Sequence, residues 1–236
     1  MTDPAIRNMV FSSIRQHLGR DAENPGAVLY NGWDTLRSNK GLYIMGFNPG
    51  GAPNDSKTMI DYLNELKDNH CSYEDECWYC SADCRNDKHF GKKPHQKKVK
   101  ELARVLGYDV RQSFAANAVF FRSRKQGDLK TPWDIFEKCW PIHQEFLSIV
   151  QPRIILCLGN GDDYSAFAYL KMKIAPSEKH YGRVKEFMGE ISVADGRTIR
   201  SRVIGVRHPS YPWFDPVKDL KLHLQQNQGM QAGYGC

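Results

Sequence analysis

Four short, uniformly apolar runs set the strongest limit on what this chain can fold into. They are GLYIMG, opening the stretch Gly41–Gly51, then SFAANAVFFR (Ser113–Arg122), RIILCLG (Arg153–Gly159) and RVIGVRHPS (Arg202–Ser210). Each is too short for a buried helix and lacks the alternation of a strand with one wet face, so each reads as a strand covered on both sides. Segments with helical signals lie between them. Strands that alternate with helices build a parallel sheet with helices on both faces. The expected fold is therefore α/β: a three-layer α/β/α sandwich around a central, mainly parallel four-stranded sheet. With 236 residues, the chain suits one domain spanning 1–236.

The helical segments carry their own punctuation. Asp3 and Pro4 open a first helix, with Ile6, Val10, Ile14 and Leu18 on one face and Gly19 after its end. Further helices are expected at Thr58–Lys67, Lys98–Leu106, Thr131–Val150, Tyr164–Leu170 and from Asp215-Pro216 to about Gln226, with Pro141 a candidate break in the long one. Glu190–Arg202 reads as a hairpin around Ala194-Asp195-Gly196. The apolar runs are far short of a membrane span. The opening MTDPAIRNMVFSS lacks the basic region and long apolar stretch of a secretion signal, so the cytoplasm is the expected location.

Net charge is +6, which fits a polyanionic partner but is common among enzymes. The distribution says more: Arg85 to Arg104 holds eight Lys or Arg against Asp87 and Glu101. That segment reads either as a solvated helix face or as a surface that tracks phosphates. Four of the seven cysteines sit just before it, as Cys71-x5-Cys77-x2-Cys80-x3-Cys84. This clustering favours a metal over disulfides. A structural zinc held by Cys71, Cys77, Cys80 and Cys84 is the expectation, with an iron–sulfur cluster as the alternative. His70, His89 and His95 are candidate replacement ligands. The metal-binding insertion is placed at about 69–98.

In open parallel sheets, ligands sit beyond the carboxyl ends of the strands. Here those ends carry unusual polar residues: Asn48 in Gly46-Phe47-Asn48-Pro49-Gly50, Asn117 within an apolar run, and His208 in His208-Pro209-Ser210. Each has a plain structural reading. Asn before Pro shapes turns, an Asn in a strand bonds backbone, and a lone His often only packs. An Asn buried among apolar residues still needs a partner, and a ligand edge would serve.

Taken in this order, the motifs resemble the uracil-DNA glycosylase superfamily. GFNPGG resembles its first motif, G-x-N-P-G. NAVFFR resembles the strand whose Asn reads the flipped base, EKCWPIHQEFLSIVQPRIILCLG its helix-then-strand signature, and VIGVRHPSYPW its H-P-S motif. The resemblance spans about Gly41 to Trp213, the insertion aside. It implies a monofunctional, monomeric DNA glycosylase that acts on DNA, not membranes, and leaves an abasic site. Asn48 and His208 would be catalytic, Asn48 orienting a water and His208 donating to the leaving base. Gly46, Phe47, Pro49, Gly50 and Asn117 would hold the base. Gly51, Arg122, Arg124, Lys125, Arg207, Ser210, Tyr211 and Trp213 would contact DNA, and Tyr211, Trp213 and Phe214 are wedge candidates whose plain reading is core packing.

The pattern departs from the family at three places. Gly50 stands where the strictly uracil-selective branch has a Tyr that blocks 5-substituted pyrimidines. A modified pyrimidine, removed in defence against foreign DNA, is therefore an alternative to uracil excised in repair. The segment that brings the family's stacking aromatic is missing, leaving Tyr62, Tyr73 and Trp78 as substitutes. Cys139 lies where an iron–sulfur branch has a ligand, but no cysteine precedes the first motif as that branch requires. A third reading is a non-catalytic, zinc-stabilised nucleic-acid-binding protein.

Overall fold

The computed structural model describes residues 3–37, 41–50, 57–78, 89–123, 128–180 and 182–232, with backbone alone at 175–180 and 228–232. The four expected parallel strands are β1 (Leu42–Gly46), β2 (Phe114–Asn117), β3 (Ile154–Leu158) and β6 (Thr198–Val206), side by side in the order β2-β1-β3-β6. The sheet does not stop at four strands. It continues antiparallel through β5 (Lys185–Ser192) to β4 (Ala175–His180). The expected hairpin turns at Gly196 (φ +81°), but its arms reach back from Ser192↔Thr198 to Lys185↔Gly205, well beyond 190–202. Neither extra strand is a continuous apolar run. On β5, buried Phe187 and Ile191 share the strand with Lys185, Glu186, Glu190 and Ser192, and β4 reads Ala-Pro-Ser-Glu-Lys-His, the sequence of an edge.

Strand side chains alternate between faces, so the parallel strands feed two cores. Tyr43, Met45, Phe114, Ala116, Ile155, Cys157 and Val203 pack with α1 (Pro4–Leu18), α2 (Met59–Glu65), α5 (Pro132–Val150) and α6 (Ala166–Lys173). Leu42, Ile44, Ala115, Leu156, Leu158, Ile204 and Val206 pack with α3 (Ser72–Asp75), α4 (Pro94–Val105) and α7 (Pro216–Ala232). This is an α/β sandwich. Among the described residues, no helix is long and apolar enough to cross a membrane.

The helix starts follow their caps. Asp3 accepts from the Ala5 N–H at 2.9 Å, Ser165 from Ala168 at 3.1 Å, and Asp215 from Lys218 at 3.0 Å. Three elements differ from expectation. Pro141 does not break α5, whose turns on either side are held by buried Phe136, Trp140, Ile142 and Phe146. α4 starts at Pro94, four residues before the expected Lys98, which places His95 on a helix. The second strand ends at Asn117, and the buried residues 118–120 leave the sheet, with Ala118 and Val119 donating to the carbonyls of Gly46 and Phe47 at 2.9 and 2.8 Å.

His143 of α5 is fully buried under this junction. Its Nε2 is 3.1 Å from the Ala118 carbonyl and its Nδ1 2.7 Å from the Tyr43 hydroxyl. A carbonyl only accepts, so Nε2 carries the proton and Nδ1 accepts from Tyr43. Burial pushes the imidazole from 6.5 down to about 4. The unfolded chain therefore binds a proton between these values that the folded chain does not. Stability from this group is full above pH 6.5 and is lost as pH falls toward 4. Urea unfolding across that window should show the decline. His143→Phe should flatten its contribution to the pH slope while costing about 3 kcal/mol at pH 7, because two buried polar groups lose their partner.

Candidate active site

The carboxyl ends of β1, β2, β3 and β6 open into one cleft of ≈ 1280 Å³. Its lining includes Gly46, Phe47, Asn48 and Gly50 after β1, Asn117 ending β2, Gly159–Gly161 after β3, and Arg207, His208 and Ser210 after β6. Tyr30, Tyr73, Trp78 and His95 line it as well. The expected catalytic pair and the expected base-reading Asn thus share one cleft.

Asn48 is held by its amide nitrogen. Nδ2 donates to the Pro49 carbonyl at 3.0 Å and to Ser123 Oγ at 2.8 Å, with the Phe121 carbonyl at 3.5 Å. Two of these neighbours are carbonyls, which only accept, so the NH2 must face them. Among the described residues no donor meets the carbonyl oxygen of Asn48, which can accept from water or substrate. Pro49 contributes through its backbone oxygen, which also takes the Ser123 N–H at 3.2 Å.

Asn117 is buried, and among the described residues its Nδ2 makes no close hydrogen bond, with only the Tyr30 hydroxyl acting on it from beside. The Tyr30 hydroxyl is beside it, and burial pushes that phenol up to about 12 although Asn117 acts to lower it. Asn117 faces Gly46 across the β1–β2 register. A Cβ built on Gly46 would lie 2.2 Å from Asn117 Oδ1, so only glycine leaves room for this amide. A buried NH2 without a close partner is costly, and in a cleft wall it is able to donate to an acceptor.

His208 is oriented by Ser210. The Ser210 N–H and hydroxyl lie 3.3 and 2.6 Å from His208 Nδ1. Because a backbone N–H only donates, Nδ1 is the acceptor and Nε2 carries the proton of the neutral ring. Burial pushes His208 down to about 4, so it is neutral at pH 7. The His95 ring meets it edge to face, with centroids 5.0 Å apart. Burial, His208, Lys93 and Lys98 together push His95 down to about 3.

The other expected contacts divide. Among the described residues, a Cβ on Gly50 would meet nothing within 4 Å. Phe47 lines the cleft and rests its ring against Tyr169. Tyr211 and Trp213 are 47% and 74% exposed and stack on each other, which sets aside the core-packing reading for both. Arg122 donates to the Gly50 carbonyl and the Tyr62 hydroxyl, holding the first motif. Arg207 pairs with buried Asp219 at 2.5 Å and lies 4.0 Å over the Phe214 ring, holding the loop after His208. Gly51, Arg124 and Lys125 lie outside the described residues. Of the candidate stacking aromatics, Tyr73 and Trp78 line the cleft, whereas Tyr62 serves Arg122.

Of the expected metal ligands, Cys80 and Cys84 also lie outside the described residues. Cys71 is a free thiol buried in the α4 core, and burial pushes it up to about 12. Cys77 lines the cleft and is disulfide-bonded. Cys139 belongs to the core on the other face of the sheet and so cannot share a cluster with Cys71. Among the described residues, no group of three or more His, Cys, Asp or Glu is arranged to hold a metal.

Several cleft residues gave no sequence signal. Tyr30 and Ser123 sit in irregular loops, and the Gly159-Asn160-Gly161 turn reads only as punctuation before a helix. His95 stood out as a spare metal ligand but lies beside the catalytic candidate instead. No protein-family model matches the chain, and no curated protein matches it.

Gly46→Ala isolates the Asn117 geometry. The added methyl must displace the Asn117 side chain or spread β1 from β2. Urea unfolding should show a loss of about 1–3 kcal/mol, and ligand recognition through Asn117 should fall with it.

Proposed function

We propose that this cleft hydrolyses the N-glycosidic bond of a nucleotide flipped out of DNA, releasing a uracil-like pyrimidine and leaving an abasic site. One observation carries the reading: a single cleft gathers Asn48, a neutral His208 and a buried Asn117, whose NH2 makes no close hydrogen bond among the described residues. Its order along the chain resembles that of the uracil-DNA glycosylase superfamily, which favours the same reaction.

The residues have distinct roles. Asn117 Nδ2 donates to a pyrimidine oxygen and its Oδ1 accepts from the adjacent ring N–H. His208 Nε2–H donates to the base oxygen on which negative charge develops. As the C–N bond breaks, its electron pair leaves with the base. A water held by the Asn48 carbonyl adds its oxygen to the sugar carbon and gives its proton to solvent. An amide is a weak base, but positioning matters more than deprotonation when the sugar has already become cationic. A neutral donor suits this step, because it is in place before charge appears. The exposed pair Tyr211 and Trp213 is placed to fill the gap left by the flipped base.

A second reading concerns the substrate. Open space at Gly50 and a cleft larger than one pyrimidine needs favour a base with a substituent at position 5. Such a base would mark foreign DNA and make the enzyme one of defence, whereas uracil would make it one of repair.

Excision from oligonucleotides carrying uracil, hypoxanthine or 5-substituted cytosines tests both readings. Asn48→Ala and His208→Ala should each lower single-turnover rates by on the order of 10²–10³. Activity that survives both changes would sink the mechanism, and DNA binding without excision on every substrate would favour a binding protein. The pH profile is a separate check. The depressed His208 keeps its neutral form through 6.5, so rates should stay level from pH 8 to about 5.5 and fall only toward 4. A loss centred at 6.5 would contradict a neutral donor.

A further inference from the structure

Helix α4 grips the loop that carries His208. Lys98 Nζ donates to the backbone carbonyls of Tyr211 and Phe214 at 3.1 and 3.0 Å. One turn earlier on the same helix, His95 sets its ring edge to face against His208. Positions three apart share a helix face, so both contacts come from one side of α4. The helix is itself anchored: Val99 and Leu102 are fully buried, and the Gln96 amide donates to the carbonyls of Ser72 and Glu76, both at 2.9 Å.

Lys98 belongs to a basic run that reads in sequence as a solvated face or a phosphate track. Its ammonium is instead spent on two carbonyls that bracket Trp213, the most exposed large apolar side chain among the described residues. The loop that presents Tyr211 and Trp213 to solvent has contacts of its own, Arg207 over the Phe214 ring and Tyr211 against His208 and Phe214, but both of its aromatics 211 and 213 are exposed. Two bonds to one rigid helix add a restraint.

We propose that Lys98 is a positioning residue that locks the Tyr211–Phe214 loop in the shape needed to invade a duplex, with His95 bracing His208 from the same helix face. This rests on the glycosylase reading for its function, though not for its geometry. The restraint matters where a base must be pushed out of a stack. It matters little where the base is already unpaired.

The test compares Lys98→Met, which keeps the aliphatic stem, with Lys98→Arg, which keeps donors, in the full chain. Hydrogen exchange of the 207–215 segment is read without DNA. Lys98→Met should speed exchange there while the sheet strands keep wild-type protection, and Lys98→Arg should restore part of it. Single-turnover excision is then compared on duplex and single-stranded oligonucleotides of the same sequence. Lys98→Met should slow duplex excision by on the order of 10- to 100-fold and leave single-strand excision unchanged. Unchanged exchange at 207–215, or equal loss on both substrates, would overturn the proposal. So would a salt dependence of binding reduced by about one phosphate contact with the loop still protected, which would make Lys98 a phosphate ligand. If the wild-type chain excises no base, the glycosylase reading fails, and the exchange measurement alone decides whether Lys98 holds the loop.

Discussion

The close approach of Asn117 to Gly46 is the constraint on which the site depends. These two residues end adjacent parallel strands in register, and the amide occupies the space a side chain on Gly46 would need. The Gly46 and Phe47 carbonyls then take the N–H groups of Ala118 and Val119, so the chain leaves β2 bound to the turn after β1. His143 supports this junction from below through the Ala118 carbonyl. Farther along, Ser123 returns to hold Asn48. Asn117 and Asn48, the proposed recognition and water-holding amides, are thus tied to one piece of backbone.

The electrostatics of the cleft follow from burial more than from net charge. Its two imidazoles are neutral, and neither Asn titrates. The polar groups on its floor are therefore dipoles held in place before any charge develops, the arrangement in which they stabilise a departing anion best. Several cations near the cleft are committed to the protein itself. Arg122 holds the Gly50 turn, Arg207 spans Asp219 and Phe214, and Lys98 ties down the loop after His208. Part of the basic composition therefore serves the shape of the site.

The central fold was legible because buried parallel strands are uniformly apolar and helices announce their ends through Asp3, Thr58, Ser165 and Asp215. β5 and β4 were not, because a strand covered on one face alternates, and an edge strand need not be apolar at all. The elements of the site were legible for a related reason: Asn48, Asn117 and His208 are polar residues at the ends of apolar runs, where the topology brings strand ends together. Tyr30, Ser123 and His95 were not. They reach the cleft through tertiary folding of loops and the early start of α4, and no local pattern encodes that. The cysteine spacing suggested a ligand set, of which Cys80 and Cys84 lie outside the described residues, while Cys71 packs among apolar side chains.

The most direct measurement of the central claim is a product balance on a duplex oligonucleotide with one uracil or 5-substituted cytosine. Free base is quantified by mass spectrometry and the strand by alkaline cleavage. The account predicts one free base released for each abasic site formed, with the strand uncut before alkali. Bases that all stay attached, or a strand broken without release of a base, would contradict it.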